Sequence, residues 1–174
     1  MAFENGYIQV YTGDGKGKTT AALGLALRAA GAGLNVYVAQ FIKSGDYSEI
    51  KALSRLADRI TVEQFGLGRF IKGKPTSEDA AAAQKGLTAI RNALTSGDYQ
   101  VVIMEEGNVA AVCGLFPVEE MLEIMTLKPA DVELVITGRG ADPRVVDRAD
   151  LVTEMKAVKH YYQAGVAARV GIEK

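Results

Sequence analysis

A glycine- and lysine-rich loop between a strand and a helix is the feature that most constrains this chain. Residues 12–20 read TGDGKGKTT, after a β-rich run at residues 7–12 and before an Ala- and Leu-rich helical stretch at residues 19–32. This order of strand, loop and helix is the context that a phosphate-binding loop requires. The glycines can adopt positive φ, and the loop N–H groups can then converge on an anion at the positive end of the helix.

We expect this loop to bind a nucleoside triphosphate. Lys18 would contact the terminal phosphates, and the Thr19 hydroxyl would coordinate Mg²⁺. The generic pattern has glycine where this chain has Thr12, and the alternative interpretation is a Gly/Lys-rich surface turn. The residues expected to bind nucleotide are Gly13, Asp14, Gly15, Lys16, Gly17, Lys18, Thr19 and Thr20.

Apolar runs of strand length alternate along the chain with segments of helical period. Further strands are predicted at residues 35–41, 60–65, 100–104, 132–137 and 151–155, and further helices at 77–95, 118–125 and 143–149. Thr76 and Asp79 indicate a capping box at the start of the 77–95 helix. The alternation predicts a single-domain α/β fold over residues 1–174, with a mainly parallel sheet and helices on both faces.

Charged residues follow several of the predicted strands. Glu105 and Glu106 come directly after the 100–104 strand, at the edge where α/β sheets bind ligands, so we expect them to help Thr19 hold the metal. Glu106 would also serve as a base or orienting group, and a solvated turn is the alternative for the pair. Arg139 and Lys43 also follow strands. Arg139 is expected to contact phosphate or substrate, with a surface salt bridge as the alternative, and Lys43 to reach the triphosphate. These patterns leave an ATPase, a kinase and other ATP-dependent enzymes open.

Composition excludes several other classes. The 20 Lys and Arg residues against 21 Asp and Glu give a net charge of −1, which excludes a globally basic nucleic-acid binder. The single cysteine, Cys113, excludes an intrachain disulfide, and the single histidine, His160, excludes a histidine cluster for a transition metal. No secretory signal and no apolar run of about 20 residues is visible, so we expect a cytoplasmic protein without a membrane span.

The chain resembles the P-loop type of ATP:corrinoid adenosyltransferase from about residue 7 to residue 173. The loop is followed, in the family's order, by QFIK at 40–43, TGRG at 137–140, ADLVTEM at 149–155, VKH at 158–160 and GIE at 171–173. The family's own loop also tolerates threonine at position 12. The resemblance implies a P-loop NTPase-like (RecA-like) fold.

The resemblance also implies a reaction, in which the Co(I) of a reduced corrinoid attacks the ribose C5′ of ATP and expels triphosphate. The protein would then supply position and charge, with Lys18, Glu106 and Arg139 as the catalytic residues. A Mg²⁺ or Mn²⁺ ion would be held by Thr19, Glu105 and Glu106. A homodimer and a flavoprotein-type reductase partner follow from the same resemblance.

Some residues outside the loop are candidates for corrinoid or ATP contact. Lys159 and His160 lie in a family-like segment, although a histidine in a packing role is the alternative. Residues 66–75, GLGRFIKGKP, are expected to form a lid in which Phe70 matches one of the family's two aromatic residues; a solvated loop is the alternative. The chain has no tryptophan, and it carries Glu105 and Gly107 where the family usually has Asp and an apolar residue. A binding module without turnover therefore stays open.

Overall fold

Six parallel strands form one sheet that organises the fold. The structure, a computed structural model, describes residues 4–69, 71 and 73–173. The strand order is β3-β2-β4-β5-β1-β6, and every neighbouring pair runs parallel. The strands are β1 Ile8–Thr12, β2 Val36–Gln40, β3 Ile60–Gln64, β4 Val101–Glu105, β5 Glu133–Thr137 and β6 Leu151–Glu154.

Helices cover both faces of this sheet. One core packs small side chains of α1 against β2, β4 and β5, and the other packs α3, α5 and α6 against the opposite face. The predicted parallel sheet with helices on both faces is thereby confirmed. The helices are α1 Lys18–Gly31, α2 Ser48–Leu53, α3 Ser77–Thr95, α4 Gly107–Val112, α5 Val118–Leu127 and α6 Pro143–Arg148, with 3-10 turns at Ser54–Leu56 and Tyr161–Ala164.

Sequence periodicity located the long elements and one cap. All six strands lie within or next to the predicted runs, and α3 begins with the predicted capping box. The Thr76 hydroxyl accepts a hydrogen bond from the Asp79 N–H, while the Asp79 carboxylate accepts one from the Thr76 N–H. The sequence analysis missed α2 and α4, because six residues are too few to show a helical period.

The inner strands β2 and β4 differ strongly in burial from the edge strand β6. Every residue of β2 and β4 is buried, which explains why both sequences are apolar up to their last residues, Gln40 and Glu105. Every residue of the edge strand β6 is exposed. No helix in the described part of the chain is long and apolar enough to cross a membrane.

A close approach between α3 and the sheet fixes the position of this helix. A Cβ added at Gly86 would lie 2.7 Å from Phe41 Cε1 and 3.0 Å from Phe65 Cγ. The fully buried Phe41 ring also packs edge-on against Phe116, with ring centroids 5.6 Å apart. The ring therefore has little room to move away from a larger residue at position 86.

We expect Gly86→Ala to lower the free energy of unfolding by about 1–2 kcal/mol. Overpacking a core costs about 1–3 kcal/mol, which exceeds the gain of up to about 1 kcal/mol from replacing glycine by alanine in a helix. The matched control is Gly24→Ala in α1, where no atom outside the local helix backbone and the two chain neighbours lies within 4 Å of the added Cβ. The control should be stabilising, and urea denaturation of both variants gives the comparison. A Gly86→Ala variant as stable as the control would contradict the packing argument.

Candidate functional site

The glycine-rich loop is shaped by positive φ angles and by close contact with the chain that follows β6. Gly13 and Gly17 have φ angles of 93° and 122°, which favour glycine. The Gly15 N–H donates a hydrogen bond of 2.6 Å to the Met155 carbonyl. A Cβ at Gly15 would lie 2.6 Å from that same oxygen, so only glycine fits there.

Lys18 is the first residue of α1 and folds back onto the loop. Its Nζ donates to the carbonyl oxygens of Gly13 at 2.6 Å and Gly15 at 2.7 Å, and the residue is 7% exposed. Burial lowers the pKa of the Lys18 ammonium below its ordinary value, and the nearby Arg139 guanidinium lowers it further. An anion at this loop would favour the charged form of Lys18, because an opposite charge offsets both effects.

Thr19, Glu105 and Lys43 meet where the loop, β4 and the segment after β2 come together. The Thr19 hydroxyl donates to Glu105 Oε1 at 2.5 Å, and Lys43 Nζ donates to the same Oε1 at 3.0 Å and to Thr19 Oγ1 at 3.2 Å. Burial raises the pKa of the Glu105 carboxyl above its ordinary value, and the Lys43 ammonium limits that rise. Burial alone would lower the pKa of Lys43, but the negative charge of Glu105 raises it.

The residues at this cluster suit a hard divalent cation. Glu105 is 0% exposed, and its Oε2 has no hydrogen-bond partner among residues 4–69, 71 and 73–173. An unpaired buried carboxylate oxygen beside a threonine hydroxyl is the donor set that Mg²⁺ accepts. Three or more His, Cys, Asp or Glu side chains do not gather at any one place in the described part of the chain. The remaining ligands would therefore come from water or from nucleotide phosphates, as is usual for Mg²⁺.

Glu106 and Arg139 lie at the same edge of the sheet but are held differently. Glu106 caps α4 in a left-handed conformation with φ of 58°, and its N–H donates to the Thr137 hydroxyl at 3.0 Å. Its charge acts on the pKa of both Lys18 and Lys43. Arg139 follows β5, is exposed, and also acts on Lys18. The structure thus brings Glu105 into contact with Thr19, and Glu106 only into the vicinity of the cluster.

The other predicted residues fall into three groups. Asp14 and Thr20 are exposed at the loop, and Lys16 Nζ donates to the Ile172 carbonyl at 2.9 Å. His160 Nδ1 accepts the Tyr162 N–H at 3.1 Å and so caps the last 3-10 turn, and Lys159 beside it is exposed. Among the described residues, no hydrogen bond joins either of them to the phosphate-binding loop. Phe70 lies outside the described residues.

Two glutamines that the sequence analysis did not single out join the site to the segment after β2. Gln40 is fully buried beside Glu105 in register, and its Oε1 accepts from Gln64 Nε2 at 3.0 Å. Gln64 Oε1 accepts the Gly45 N–H at 3.1 Å. Gln40 Nε2 has no partner within the described ranges. The sequence signal for Gln40 was a polar residue in a strand that is otherwise apolar and buried.

Comparisons with known proteins identify the relatives of this chain. A profile of the family described as ATP:corrinoid adenosyltransferase BtuR/CobO/CobP matches residues 4–173. The corrinoid adenosyltransferase of Pseudomonas aeruginosa is 34% identical over 98% of this chain and 84% of its own length. Corrinoid adenosyltransferase CobA of Salmonella typhimurium is also 34% identical, over 98% of this chain and 86% of its own.

A solved structure supports the fold independently. A KaiC-like protein from Pyrococcus horikoshii superposes with a TM-score of 0.57, covering 90% of this chain and 75% of its own, at 12% sequence identity. That likeness confirms the expected P-loop NTPase-like fold and carries no functional argument, since the identity is low. The family profile and the curated relatives carry the assignment, and they confirm the resemblance found in the sequence: this chain belongs to the ATP:corrinoid adenosyltransferase family of enzymes.

Proposed function

We propose that residues 1–174 form one domain that transfers the 5′-deoxyadenosyl group of ATP to the Co(I) of a reduced corrinoid, in the synthesis of adenosylcobalamin. The electron pair of Co(I) forms the Co–C5′ bond, the C5′–O bond breaks, and triphosphate leaves with the bonding pair. Cobalt is thereby oxidised formally to Co(III). The observation that carries the proposal is the glycine loop with Lys18 folded on it, next to the buried Glu105.

The chain's own part in this reaction is to stabilise the leaving group. The loop N–H groups, Lys16 and Lys18 would surround the triphosphate, and Arg139 at the end of β5 would add a further positive charge. Preorganised charges of this kind act on the negative charge that develops on the leaving oxygen. The nucleophile belongs to the corrinoid, so the site needs no nucleophilic side chain. Cys113 is half-buried against the core, which is compatible with a protein that does not supply the nucleophile.

A divalent cation would complete this arrangement. When bound, Mg²⁺ or Mn²⁺ neutralises phosphate charge and makes triphosphate a better leaving group. Thr19 and Glu105 would be its protein ligands, because their oxygens already face each other at 2.5 Å. Glu106 would act at longer range through its charge.

A second copy of the chain would cover the exposed edge of the sheet. Exposed edge strands pair readily with other chains, and β6 is exposed along its whole length. Exposed apolar side chains also lie in and after this strand: Leu151, Val152, Val158, Tyr162, Val170 and Ile172. These features support a homodimer. A flavoprotein-type reductase would supply Co(I) in the cytoplasm, and Lys159, His160 and Phe70 stay predictions for corrinoid or ATP contact.

Product identification tests the proposed reaction directly. With ATP, Mg²⁺ and chemically reduced cobalamin, we expect a light-sensitive alkyl-cobalt product and one free triphosphate for each cobalt alkylated. The same mixture with a metal chelator is the control. Phosphate or a phosphorylated acceptor in place of triphosphate would instead identify an ATPase or a kinase.

The Lys18→Ala variant tests where the phosphates bind. Hydrogen bonds to charged groups contribute about 1.5–3 kcal/mol, so ATP affinity should fall by about 10- to 100-fold. Titration calorimetry measures the change, and Lys85→Ala on the exposed side of α3 is the matched control. Unchanged ATP affinity in Lys18→Ala would show that the triphosphate lies elsewhere.

The two glutamates should differ in their importance. Glu105→Gln should lower kcat/KM for the metal–ATP complex by at least about 100-fold. Side chains that only hydrogen-bond to a metal's ligands contribute about 10- to 100-fold, and a direct ligand should contribute at least as much as the upper value. Glu106→Gln should lower it by about tenfold or less, because this side chain acts only through long-range charge. Steady-state assays over a range of Mg²⁺ concentrations give both values. The reverse order would assign the metal to Glu106.

A further inference from the structure

Lys43 occupies the position between the two oxygens that would face a metal ion. Its Nζ lies 3.0 Å from Glu105 Oε1 and 3.2 Å from Thr19 Oγ1, so one ammonium group bridges both proposed ligands. The side chain of Glu105 is 0% exposed and that of Lys43 is 24% exposed. The ammonium therefore closes the cluster on the side that reaches solvent.

The backbone that carries Lys43 is held in a strained and well-anchored conformation. Ile42 has a φ of 67°, which is unusual for a β-branched residue and persists only when the surroundings enforce it. The Gly66 N–H donates to the Lys43 carbonyl at 3.2 Å, and a Cβ at Gly66 would lie 2.1 Å from the Ile42 carbonyl oxygen. Gln64 fixes the next turn through both its hydrogen bonds to Gly45. These contacts hold the backbone of Lys43 where its side chain reaches Glu105 and Thr19.

The charge of Glu105 explains why a cation is needed there at all times. A buried carboxylate without a partner is strongly unfavourable, and Lys43 is its only ion-pair partner among the described residues. A divalent cation held by Thr19 and Glu105 together would use Oε1, because this is the carboxylate oxygen that faces the Thr19 hydroxyl. It would then lie within a few ångströms of the Lys43 ammonium, where like charges repel strongly in a partly buried site. The two cations therefore exclude each other at this oxygen. Lysine can leave, because its charge sits on a flexible four-carbon stem.

We propose that Lys43 is a tethered counter-ion that holds the metal position until nucleotide arrives. In the free protein it pairs with Glu105; when metal and triphosphate bind together, the metal takes Glu105 and the Lys43 ammonium moves to the triphosphate oxygens. Metal alone then binds weakly, since it must displace Lys43 without giving it a new partner. Triphosphate supplies that partner, so metal and nucleotide bind with positive coupling. This inference rests on the proposed metal site and adds an order of events to it.

The test measures Mn²⁺ binding by the electron paramagnetic resonance signal of the free ion, without corrinoid, in mildly alkaline buffer where protons compete little for Glu105. The uncharged K43M variant should bind Mn²⁺ alone more tightly than the natural chain, by about 5- to 150-fold, the usual range of coupling between linked sites. K43R, which keeps the charge, should restore weak binding. K51M is the matched control, because Lys51 is an exposed lysine eight positions away, and it should leave Mn²⁺ affinity unchanged.

A second measurement adds inorganic triphosphate to each protein. The gain in Mn²⁺ affinity on adding triphosphate should be large in the natural chain and K51M and much smaller in K43M. Equal or weaker Mn²⁺ binding by K43M in the absence of triphosphate would overturn the proposal. Thermal unfolding followed by circular dichroism checks that each variant is folded, and K43Q replaces K43M if the latter is not.

The outcomes separate this proposal from the proposed function. If the natural chain forms the alkyl-cobalt product but K43M shows no tighter Mn²⁺ binding, only the role of Lys43 is rejected. If Glu105→Gln binds Mn²⁺ with triphosphate as well as the natural chain does, the metal site is elsewhere and the role of Lys43 is rejected, while the proposed reaction is still judged by its products. Tighter binding by K43M that disappears in the K43M/E105Q double variant supports competition at Glu105 itself.

Discussion

The burial of the Glu105 carboxylate is the constraint on which the rest of the site depends. A carboxylate with no access to water must be paired and hydrogen-bonded, and here it is served by the Thr19 hydroxyl and the Lys43 ammonium. These two contacts join the first turn of α1 and the segment after β2 to the end of β4. The same pairing that makes the burial tolerable also brings together the oxygens that fit a divalent cation.

The parallel sheet makes this arrangement available. Since all six strands run in one direction, the ends of β1, β2, β4 and β5 lie along one edge, where α/β folds bind ligands. The glycine-rich loop, Lys43 and Arg139 each follow one of those strands, and Glu105 is the last residue of β4. The proposed site would therefore combine positive groups for a polyphosphate with one buried acid for a metal ion. That combination suits a reaction in which the protein stabilises a leaving group and the substrate brings the nucleophile.

Sequence patterns predicted those features that depend on interactions between residues close together in the chain. The run from β1 through the loop into α1 was predicted because glycine, lysine and helix-forming residues act within about ten positions of one another, and the Thr76 capping box spans only three. The short α4 was missed because its six residues show no helical period; it begins at Gly107, directly after Glu106 in a left-handed conformation. A Cβ at Gly107 would lie 2.7 Å from Met104 Cγ, so a larger residue at this position would require the Met104 side chain to move.

The sequence by itself determined the class of fold, the phosphate-binding loop and the family, since these depend on short-range order and on ordered segments. It left Glu105 and Glu106 as equal candidates for the metal, and it predicted that Lys43 reaches the triphosphate. Only the tertiary structure distinguished the two glutamates: Glu105 contacts Thr19, 86 positions away, and Lys43, 62 positions away, while Glu106 stands at the N-cap position of α4 without a side-chain capping hydrogen bond. Such contacts depend on strand order and on which face of β4 a residue occupies. Glu105 ends β4 with its side chain buried, whereas the chain leaves the strand at Glu106 in a left-handed conformation, so one position along the chain decides which carboxylate is buried at the site.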